Sequence, residues 1–370
     1  MATTKKELIF LGATPPPYMG PTLATNVILS SRLNNEFTMI HLNTSDHRGL
    51  TSLGKRDLKN LCVAFKHYLI LFWLIVTKRP SLVYIPISQT SLGYFRDAGF
   101  ILISKLFNRK VICHLRGGNF LNWYNSLHRL GQRIVYRIHN LVDGQIVLGE
   151  KLKNLFLYIL PSEKIFVVPN GKNIEINYLK KKQSEKIKVL FLSNFIREKG
   201  ILDVLRAASL IYQHYKDIEA IFAGSWMDQN TRIEFEKILN ENFDLPINII
   251  GPVYEQAKYD LLLSSDIFIF PTYYPAEGHP WVIVEAMAAG LPIITTDQGA
   301  ITESVIDGVN GFIVEKRNPR QIAEKIKFLI ENSDIRKKMG EESQRIYLEK
   351  FTEDKMIERL SRAFNSVLSN

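Results

Sequence analysis

Cysteine is scarce in this sequence of 370 residues, which contains only Cys62 and Cys113. Both lie in apolar surroundings, and neither is spaced from other cysteines or histidines as the ligands of a zinc site are. This usage argues against a disulfide-stabilised secreted domain and against a zinc module. The sequence therefore predicts two reduced thiols in the core of a cytosolic protein.

Long apolar runs are also missing. The nine-residue run Tyr68–Val76 is too short to cross the roughly 30 Å of hydrocarbon in a bilayer. The apolar stretch near the N-terminus is too short for a secretory signal, and Leu8–Gly12 is expected to form a first strand. A hydrophobic content of 46% and a mean hydropathy of −0.04 fit a soluble globular protein. At about 150 residues per domain, the length predicts two domains.

Acidic residues are scarce in the first half of the chain only. Residues 1–180 hold 23 Lys and Arg against 9 Asp and Glu, whereas residues 181–370 hold 24 against 28. This asymmetry predicts that the first half faces a negative partner, such as anionic lipid or a lipid diphosphate. No zinc spacing, RNA-binding sheet signature or DNA-reading motif accompanies the charge, so nucleic acid is not an expected partner.

Apolar runs alternate with helix-like segments through both halves of the chain. Their hydrophobicity is continuous rather than alternating, which is typical of parallel strands buried on both faces and joined by crossover helices. The predicted strands of the first half are Leu8–Gly12, Thr38–Leu42, Leu82–Ile87, Lys110–Leu115 and Gln145–Leu148. Those of the second half are Lys188–Ser193, Glu219–Ala223, Ile247–Gly251, Ile267–Phe270, Pro292–Thr295 and Gly311–Val314. The polar stretch between the halves, residues 173–186, predicts a linker.

The most informative stretch holds two carboxylates eight positions apart, Glu277 and Glu285. It follows a predicted buried strand, and a short helix is expected to begin at Pro280 and to end at Gly290 in a left-handed cap. This order puts the N-terminus of the helix at the carboxyl edge of a parallel sheet, where anions and above all phosphate bind. Two acidic side chains beside such a site fit a phosphate that carries sugars, because sugar hydroxyls donate to carboxylates.

This pattern resembles the E-x7-E element of retaining, nucleotide-sugar-dependent glycosyltransferases of family 4. A bare pair of glutamates occurs often by chance, but further matches follow the order of the family over nearly the whole chain. They are Gly12 to Gly20, His114–Gly118, Val168–Gly171, Arg197–Gly200, Gly251–Val253 and Glu303–Gly311. The resemblance implies the GT-B fold, an α/β architecture of two Rossmann-like domains facing each other across a cleft. It places an acceptor domain at residues 1–172, joined by a C-terminal helix within 350–370, and a nucleotide-sugar domain at 187–349.

The resemblance also implies roles for the two glutamates. Glu285 would accept hydrogen bonds from both ribose hydroxyls of the donor, and Glu277 would contact hydroxyls of the transferred sugar. The backbone between them would lie against the sugar and the adjacent phosphate; its residues are Gly278, His279, Pro280 and Trp281. Pro280 stands where the family commonly has a glycine, so one backbone donor is lost. The alternatives are a solvated helix carboxylate for Glu285 and a plain loop carboxylate for Glu277.

Lys199 matches the lysine that pairs with the donor diphosphate in the family. The family usually has an arginine where this chain has Asn194, and Arg197 is the neighbouring residue that would supply the missing charge. Val253, in the Gly251–Val253 match, is assigned to the same donor site. No Asp-x-Asp element is present, so neither metal nor cofactor is expected, and the helix dipole with Lys199 would take the place of a divalent ion.

Two matches in the first half depart from the family pattern. Gly20 precedes Pro21 where a glycine pair is usual, so Gly20 alone would offer an N–H to phosphate; the alternative is a proline-rich turn without ligand contact. Arg116 stands where many relatives have a histidine, and an arginine cannot act as a general base. Front-face displacement, in which the leaving phosphate takes the acceptor proton, does not need such a base. His114, on the same strand face, is expected to be a core histidine.

Two basic segments stand out in the first half. Lys55, Arg56, Lys59 and Lys66 precede the run Tyr68–Val76, and Lys78 and Arg79 follow it. This segment is either a helix lying at a membrane surface or a core helix with a solvated basic edge. A second set, Arg129, Arg133 and Arg137, shares one helix face by its spacing of four. It is either a solvated face or a contact to anionic lipid.

These expectations combine into a retaining, metal-independent glycosyltransferase that moves one sugar to an acceptor hydroxyl. The acceptor would be a glycan or lipid-linked glycan of a bacterial surface polysaccharide or lipopolysaccharide, and the enzyme would be cytoplasmic, docked peripherally on the inner face of the membrane. One alternative is a sugar-nucleotide epimerase or glycan phosphorylase on the same architecture. The other is a non-catalytic nucleotide-sugar-binding subunit, favoured by the departures at Asn194, Pro280 and Arg116.

Overall fold

A computed structural model describes residues 5–16, 19–45, 58–174, 186–241 and 245–369, with side chains in the third range from residue 62. The chain divides into two compact units, residues 1–170 with 353–370, and residues 171–352. Lys55, Arg56, the side chain of Lys59 and most of the predicted linker lie outside the described residues. Within the described residues, no helix is long and apolar enough to cross a bilayer.

The first unit contains a six-stranded parallel sheet of order β2-β1-β3-β4-β5-β6. Its strands are β1 (Lys6–Gly12), β2 (Phe37–Asn43), β3 (Leu82–Ile87), β4 (Lys110–Leu115), β5 (Gly144–Val147) and β6 (Ile165–Val167). Its helices are α1 (Gly20–Ser30), α2 (Leu33–Glu36), α3 (Leu58–Lys78), α4 (Ser91–Leu106), α5 (Phe120–Ser126), α6 (Arg129–His139) and, from the end of the chain, α13 (Glu353–Ser369). Short 3-10 turns cover Glu150–Leu155 and Ser162–Lys164.

Crossover handedness separates the helices of the first unit into two layers. The chain moves in one direction along the sheet through α3, α4 and α6, and in the opposite direction through α1, so right-handed connections place these two sets on opposite faces. The ring of Phe364 in α13 packs against Phe37 and Tyr84, with centroids 5.8 and 5.9 Å apart. The C-terminal helix therefore completes the core of the first unit.

The second unit contains another six-stranded parallel sheet, of order β12-β11-β10-β7-β8-β9. Its strands are β7 (Ile187–Leu192), β8 (Ile218–Ala223), β9 (Ile247–Ile250), β10 (Ile267–Phe270), β11 (Ile293–Thr295) and β12 (Gly311–Ile313). Its helices are α7 (Ile201–Tyr212), α8 (Gln229–Asn240), α9 (Glu255–Leu263), α10 (Trp281–Ala288), α11 (Pro319–Glu331) and α12 (Ser333–Lys350). Short 3-10 turns cover Arg197–Lys199 and Ile301–Glu303.

The predicted α/β class with two parallel sheets is confirmed, and every predicted strand overlaps a strand of the structure. One strand of the structure, β6, was not predicted from the sequence, because it is only three residues long and Ile165 alone is buried. The prediction that both thiols lie in the core is right for Cys113 and wrong for Cys62. Cys113 is buried in β4, but Cys62 is exposed near the start of α3, where the helix turns that side chain outward.

The buried His139 at the end of α6 makes the first unit sensitive to acid. Burial lowers the pKa of His139 to about 4, against 6.5 for the free side chain. Because the unfolded chain binds the proton more tightly, stability is complete above about pH 6.5 and is lost as the pH falls towards 4. We expect about 2 kcal/mol less stability at pH 5 than at pH 7, measured by urea unfolding. A His139→Gln variant should show a shallower pH dependence, and an unchanged slope would contradict this assignment.

Candidate active site

Helix α10 is bounded by a proline before its first residue and by a glycine after its last. Pro280 is the N-cap residue and no side chain caps the helix, so the predicted start was one residue early and Trp281 is the first helical position. At the other end Gly290 has a left-handed φ of +69°. The Gly290 N–H donates to the Met287 carbonyl (3.0 Å) and the Leu291 N–H to the Ala286 carbonyl (3.1 Å), the two bonds of a Schellman cap. The first-turn N–H groups of α10 thus follow directly on the loop that carries Glu277.

Glu277 and Lys199 form a buried ion pair in the second unit. The Glu277 carboxylate is bound by the Lys199 ammonium, and the Thr272 hydroxyl donates to the same oxygen at 3.3 Å. Their side chains are 10% and 15% exposed. Lys199 Nζ also lies 4.8 Å from the ring centroid of Tyr274. A charge this far from water is costly unless it is paired, and each of the two residues supplies the opposite charge that the other needs.

Glu285 lies in α10, one turn after the first helical residue Trp281, and is 2% exposed. Its Oε1 accepts from the ammonium of Lys258, which projects from α9, and the two side chains are 2% and 14% exposed. Its Oε2 is buried and has no hydrogen-bond partner among the described residues. Buried carboxylate oxygens are nearly always satisfied, so an oxygen without a donor is a place for a ligand hydroxyl.

Gly299 holds the loop that presents Glu277. It has a left-handed φ of +60°, and a Cβ at this position would lie 2.4 Å from the Gly278 carbonyl oxygen and 2.6 Å from that of Glu277. The next residue, Ala300, donates its N–H to the same Gly278 oxygen at 2.8 Å. No side chain fits between these two backbone segments, so the position of Glu277 depends on this glycine.

Replacing Gly299 with alanine should therefore displace the loop at Glu277. We expect a loss of at least ten-fold in kcat/KM for the donor substrate and a destabilisation of about 1–3 kcal/mol, because the new methyl group meets backbone rather than a flexible side chain. Gly308 is a matched control: it also has a left-handed φ (+73°), but a Cβ there meets nothing within 4 Å. Steady-state kinetics of both variants test the idea, and equal losses in the two would contradict it.

The other residues predicted between the two glutamates are placed as follows. Gly278 and Pro280 are buried, and Trp281 is half-buried. The side chain of His279 is in the core, 3% exposed, with Nε2 hydrogen-bonded to Ser304 Oγ at 2.6 Å and its ring 5.1 Å from that of Phe351. The imidazole therefore faces the interior of the second unit. A contact of the His279 backbone N–H with the sugar or phosphate of the donor stays a prediction.

The remaining predicted donor-site residues form no hydrogen bond or ion pair with Glu277 among the described residues. Asn194 is exposed after β7. Arg197 pairs instead with Glu234, which raises the pKa of the Arg197 guanidinium through their hydrogen bond, and Arg206 shares that carboxylate. Val253 is half-buried two residues before α9, the helix that carries Lys258.

Arg116 and His114 lie in the first unit, at and just beyond the end of β4. Arg116 Nη2 donates to the Tyr84 hydroxyl oxygen at 3.0 Å, and that hydroxyl is 2.8 Å from His114 Nδ1. Burial, and secondly the charge of Arg116, lower the pKa of His114 well below 6.5. The imidazole is therefore neutral and 1% exposed, in the core as the sequence predicts. Gly20 is the first residue of α1 and is half-buried.

Three residues of this region were missed by the sequence analysis: Lys258, Thr272 and Gly299. The Asp297–Gly299 segment has the composition of a turn, which was the one available signal for Gly299. Across the part of the chain that the structure describes, no three His, Cys, Asp or Glu side chains cluster so as to hold a metal ion.

Comparison with known proteins supports the same family. Residues 174–346 match the profile of the family Glycosyl transferases group 1. A capsular polysaccharide biosynthesis glycosyltransferase, CapM of Staphylococcus aureus, is 27% identical over 241 residues, which cover 60% of this chain and 61% of CapM. The matched region thus spans about three fifths of the length of that relative.

Solved structures share the fold over almost the whole chain. A glycosyltransferase of Rickettsia africae superposes with a TM-score of 0.81 at 18% identity, covering 100% of both chains. Anabaena Alr3699/HepE, solved in complex with UDP and glucose, superposes with a TM-score of 0.71 at 17% identity, covering 98% of this chain and 100% of its own. The resemblance drawn from the motifs is confirmed for residues 174–346, which match the group 1 family model, and the fold of the chain is that of GT-B glycosyltransferases of known structure.

Proposed function

We propose that this chain, of the group 1 glycosyltransferase type, transfers one sugar from a nucleoside diphosphate sugar to an acceptor hydroxyl with retention of configuration. The observation that carries the proposal is the pair of buried carboxylates in the second unit, each neutralised by a lysine. Two buried ion pairs a few residues apart add little to stability, since the cost of desolvation offsets their attraction. Both pairs are therefore better explained as parts of a binding site for a ligand that carries hydroxyls and phosphates.

The donor is assigned to the second unit. Glu285 Oε2, buried without a partner among the described residues, would accept a ribose hydroxyl, while Lys258 keeps Oε1 occupied. Glu277 would accept from hydroxyls of the transferred sugar. Lys199 and the uncapped first turn of α10 would lie against the diphosphate. UDP-sugars are the first candidates, because HepE was solved with UDP and glucose.

The reaction breaks the bond between the anomeric carbon and the diphosphate oxygen and forms a bond from the acceptor oxygen on the same face. The leaving phosphate oxygen takes the acceptor proton, so no protein base is required. Negative charge builds up on the diphosphate as the bond breaks. We assign its stabilisation to Lys199 and the dipole of α10, and we propose that no divalent metal is needed. Arg116, charged and anchored to Tyr84, would bind a phosphate or carboxylate of the acceptor.

We assign the acceptor to a glycan or lipid-linked glycan in the synthesis of a bacterial surface polysaccharide. Two observations support this class. CapM carries capsular polysaccharide biosynthesis in its name. The first half of the chain also has a surplus of 14 positive charges, which suits an acceptor that carries a phosphate or diphosphate.

The first experiment measures the melting temperature with UDP, GDP, ADP and their sugars, because a ligand raises stability with the logarithm of its concentration over Kd. The stabilising donor is then incubated with glycan acceptors, with and without EDTA, and the anomeric configuration of the product is read by NMR. The expected product has the configuration of the donor and forms in EDTA. An epimerised donor formed without acceptor would favour the epimerase. Binding without turnover across a broad set of acceptors would favour the non-catalytic subunit.

A further inference from the structure

One face of the first unit is a layer of three helices, α3, α4 and α6, packed on the same side of the sheet. The central helix, α4, contacts both of the others. The ring of Tyr68 in α3 lies 5.0 Å from that of Phe100 in α4, and the Tyr94 hydroxyl of α4 donates to the Val135 carbonyl of α6 at 3.3 Å. Because these contacts fix the three helices side by side, their outward side chains form one continuous surface, called here the docking face.

The docking face is unusually apolar for a surface. On α3 the exposed large side chains follow helical spacing along one stripe, and Trp73 and Phe65 are 59% and 61% exposed. The stripe consists of Phe65, Leu69, Phe72, Trp73 and Val76. The two neighbouring helices extend it with Leu92, Phe95, Leu102 and Leu106 on α4 and with Leu130 and Ile134 on α6. A continuous exposed apolar surface of this kind marks an interaction site rather than ordinary solvent contact.

The charges of the docking face have one sign. Asp97 is the single acidic residue of α3, α4 and α6, and it is 1% exposed. Exposed basic side chains border the apolar stripe: Lys66, Lys78, Arg79, Arg129, Arg133 and Arg137. Among the described residues none of these six forms an ion pair. The three arginines line, with Tyr124 and Tyr136, a cavity of about 470 Å³, which is large enough for a phosphate headgroup.

We propose that the docking face seats the protein on an anionic membrane surface, with Trp73 and its apolar neighbours among the acyl chains and the six cations at the headgroups. Exposed aromatic and aliphatic side chains on helices that lie in the plane, bordered by Lys and Arg, are what such a surface recognises. A second copy of this chain is disfavoured, because a two-fold contact would press the same cations together. The proposal is independent of the transfer reaction, since it concerns neither donor nor acceptor.

The test is sedimentation of the full chain with vesicles of phosphatidylcholine alone and with an equimolar mixture of phosphatidylcholine and phosphatidylglycerol. Binding is expected to the mixed vesicles and to be weak on the neutral ones. The triple variant Arg129→Gln, Arg133→Gln, Arg137→Gln should bind the mixed vesicles at least ten-fold more weakly, since each cation near the surface contributes a factor of about five. The matched control removes three exposed cations of the second unit, Lys327→Gln, Lys337→Gln, Lys338→Gln, and should bind like the parent.

A second arm tests the apolar stripe, whose residues are exposed and so can be changed without opening the core. Leu69→Ser with Trp73→Ser should weaken vesicle binding at least ten-fold, and tryptophan emission should shift to the blue on binding in the parent but not in Trp73→Phe. Equal binding to both kinds of vesicle, or full binding by either multiple variant, would overturn the proposal. So would an effect of the serine variants on self-association rather than on vesicles, which would assign the face to a second copy. Binding that needs the arginines but not the stripe would assign it to a soluble polyanion.

Discussion

Replacing Lys199 with alanine is expected to lower kcat/KM for the donor by about 100- to 1000-fold, which is the usual loss when one group that stabilises developing charge is removed. Lys199 is the cation that contacts Glu277, and it is nearly buried, so bulk water cannot replace it. Because the charge on the diphosphate grows as the sugar leaves, the loss should fall mainly on kcat. Steady-state kinetics with varied donor measure it.

The neighbouring cation Arg197 is a matched control for Lys199. Its side chain is 43% exposed and bound to Glu234. We therefore expect Arg197→Ala to change kcat/KM by less than about three-fold, as exposed ion pairs contribute little. A loss in Arg197→Ala as large as that in Lys199→Ala would mean that the arginine supplies the charge missing at Asn194.

A double variant separates catalysis from the neutralisation of Glu277. If Lys199 served only to compensate the buried carboxylate, then Lys199→Ala combined with Glu277→Gln would be as active as Glu277→Gln alone, since no uncompensated charge would remain in either. We expect the double variant to recover stability but to have a kcat well below that of Glu277→Gln. Equal kcat values in these two variants would contradict a direct contact between Lys199 and the leaving group.

Replacing Glu285 with alanine is expected to weaken donor binding by at least ten-fold. A hydrogen bond to a charged acceptor contributes about 1.5–3 kcal/mol, and Oε2 has no competing donor among the described residues. The parent should also prefer UDP to 2′-deoxy-UDP or 3′-deoxy-UDP, whereas Glu285→Ala should bind all three alike. Isothermal titration with the three nucleotides measures this directly. Preserved discrimination in the alanine variant would remove Glu285 from the ribose site.

Lys258 provides the companion experiment. Lys258→Met leaves Glu285 buried without its cation, so we expect lower thermal stability and weaker donor binding, with Lys258→Arg restoring part of both. Glu324→Ala, which removes an exposed carboxylate from α11, is the control and should change neither. Unaltered donor binding in Lys258→Met would show that the contact of Lys258 with Oε1 is not needed to position the Glu285 carboxylate for the ligand.

Much of the fold follows from local rules that the sequence shows directly. The continuous apolar runs of β3 or β10 predict strands buried on both faces, and Gly290 predicts the end of α10 because only a glycine adopts its φ without strain. The three-residue strand β6 has too few buried positions for a periodic signal. This segment is a strand because it pairs with β5 in the folded sheet, and no local sequence pattern indicates that pairing.

The candidate site was harder to predict, because its ion pairs join residues from different elements. Lys258 reaches Glu285 across 27 positions and carries no motif of its own. Arg197 pairs with Glu234, which lies 37 positions away on α8, and no sequence motif indicates this contact. The sequence shows the basic segments of α3 and α6 separately. That they lie in one layer without an exposed carboxylate depends on the packing of α4 between them.

The most direct test of the account is a crystal structure of the protein soaked with the nucleotide sugar that stabilises it. The account predicts a ribose hydroxyl within about 3 Å of Glu285 Oε2, the diphosphate against Lys199 and the first turn of α10, and the sugar beside Glu277. A donor bound in the second unit away from both Glu277 and Glu285 would contradict it.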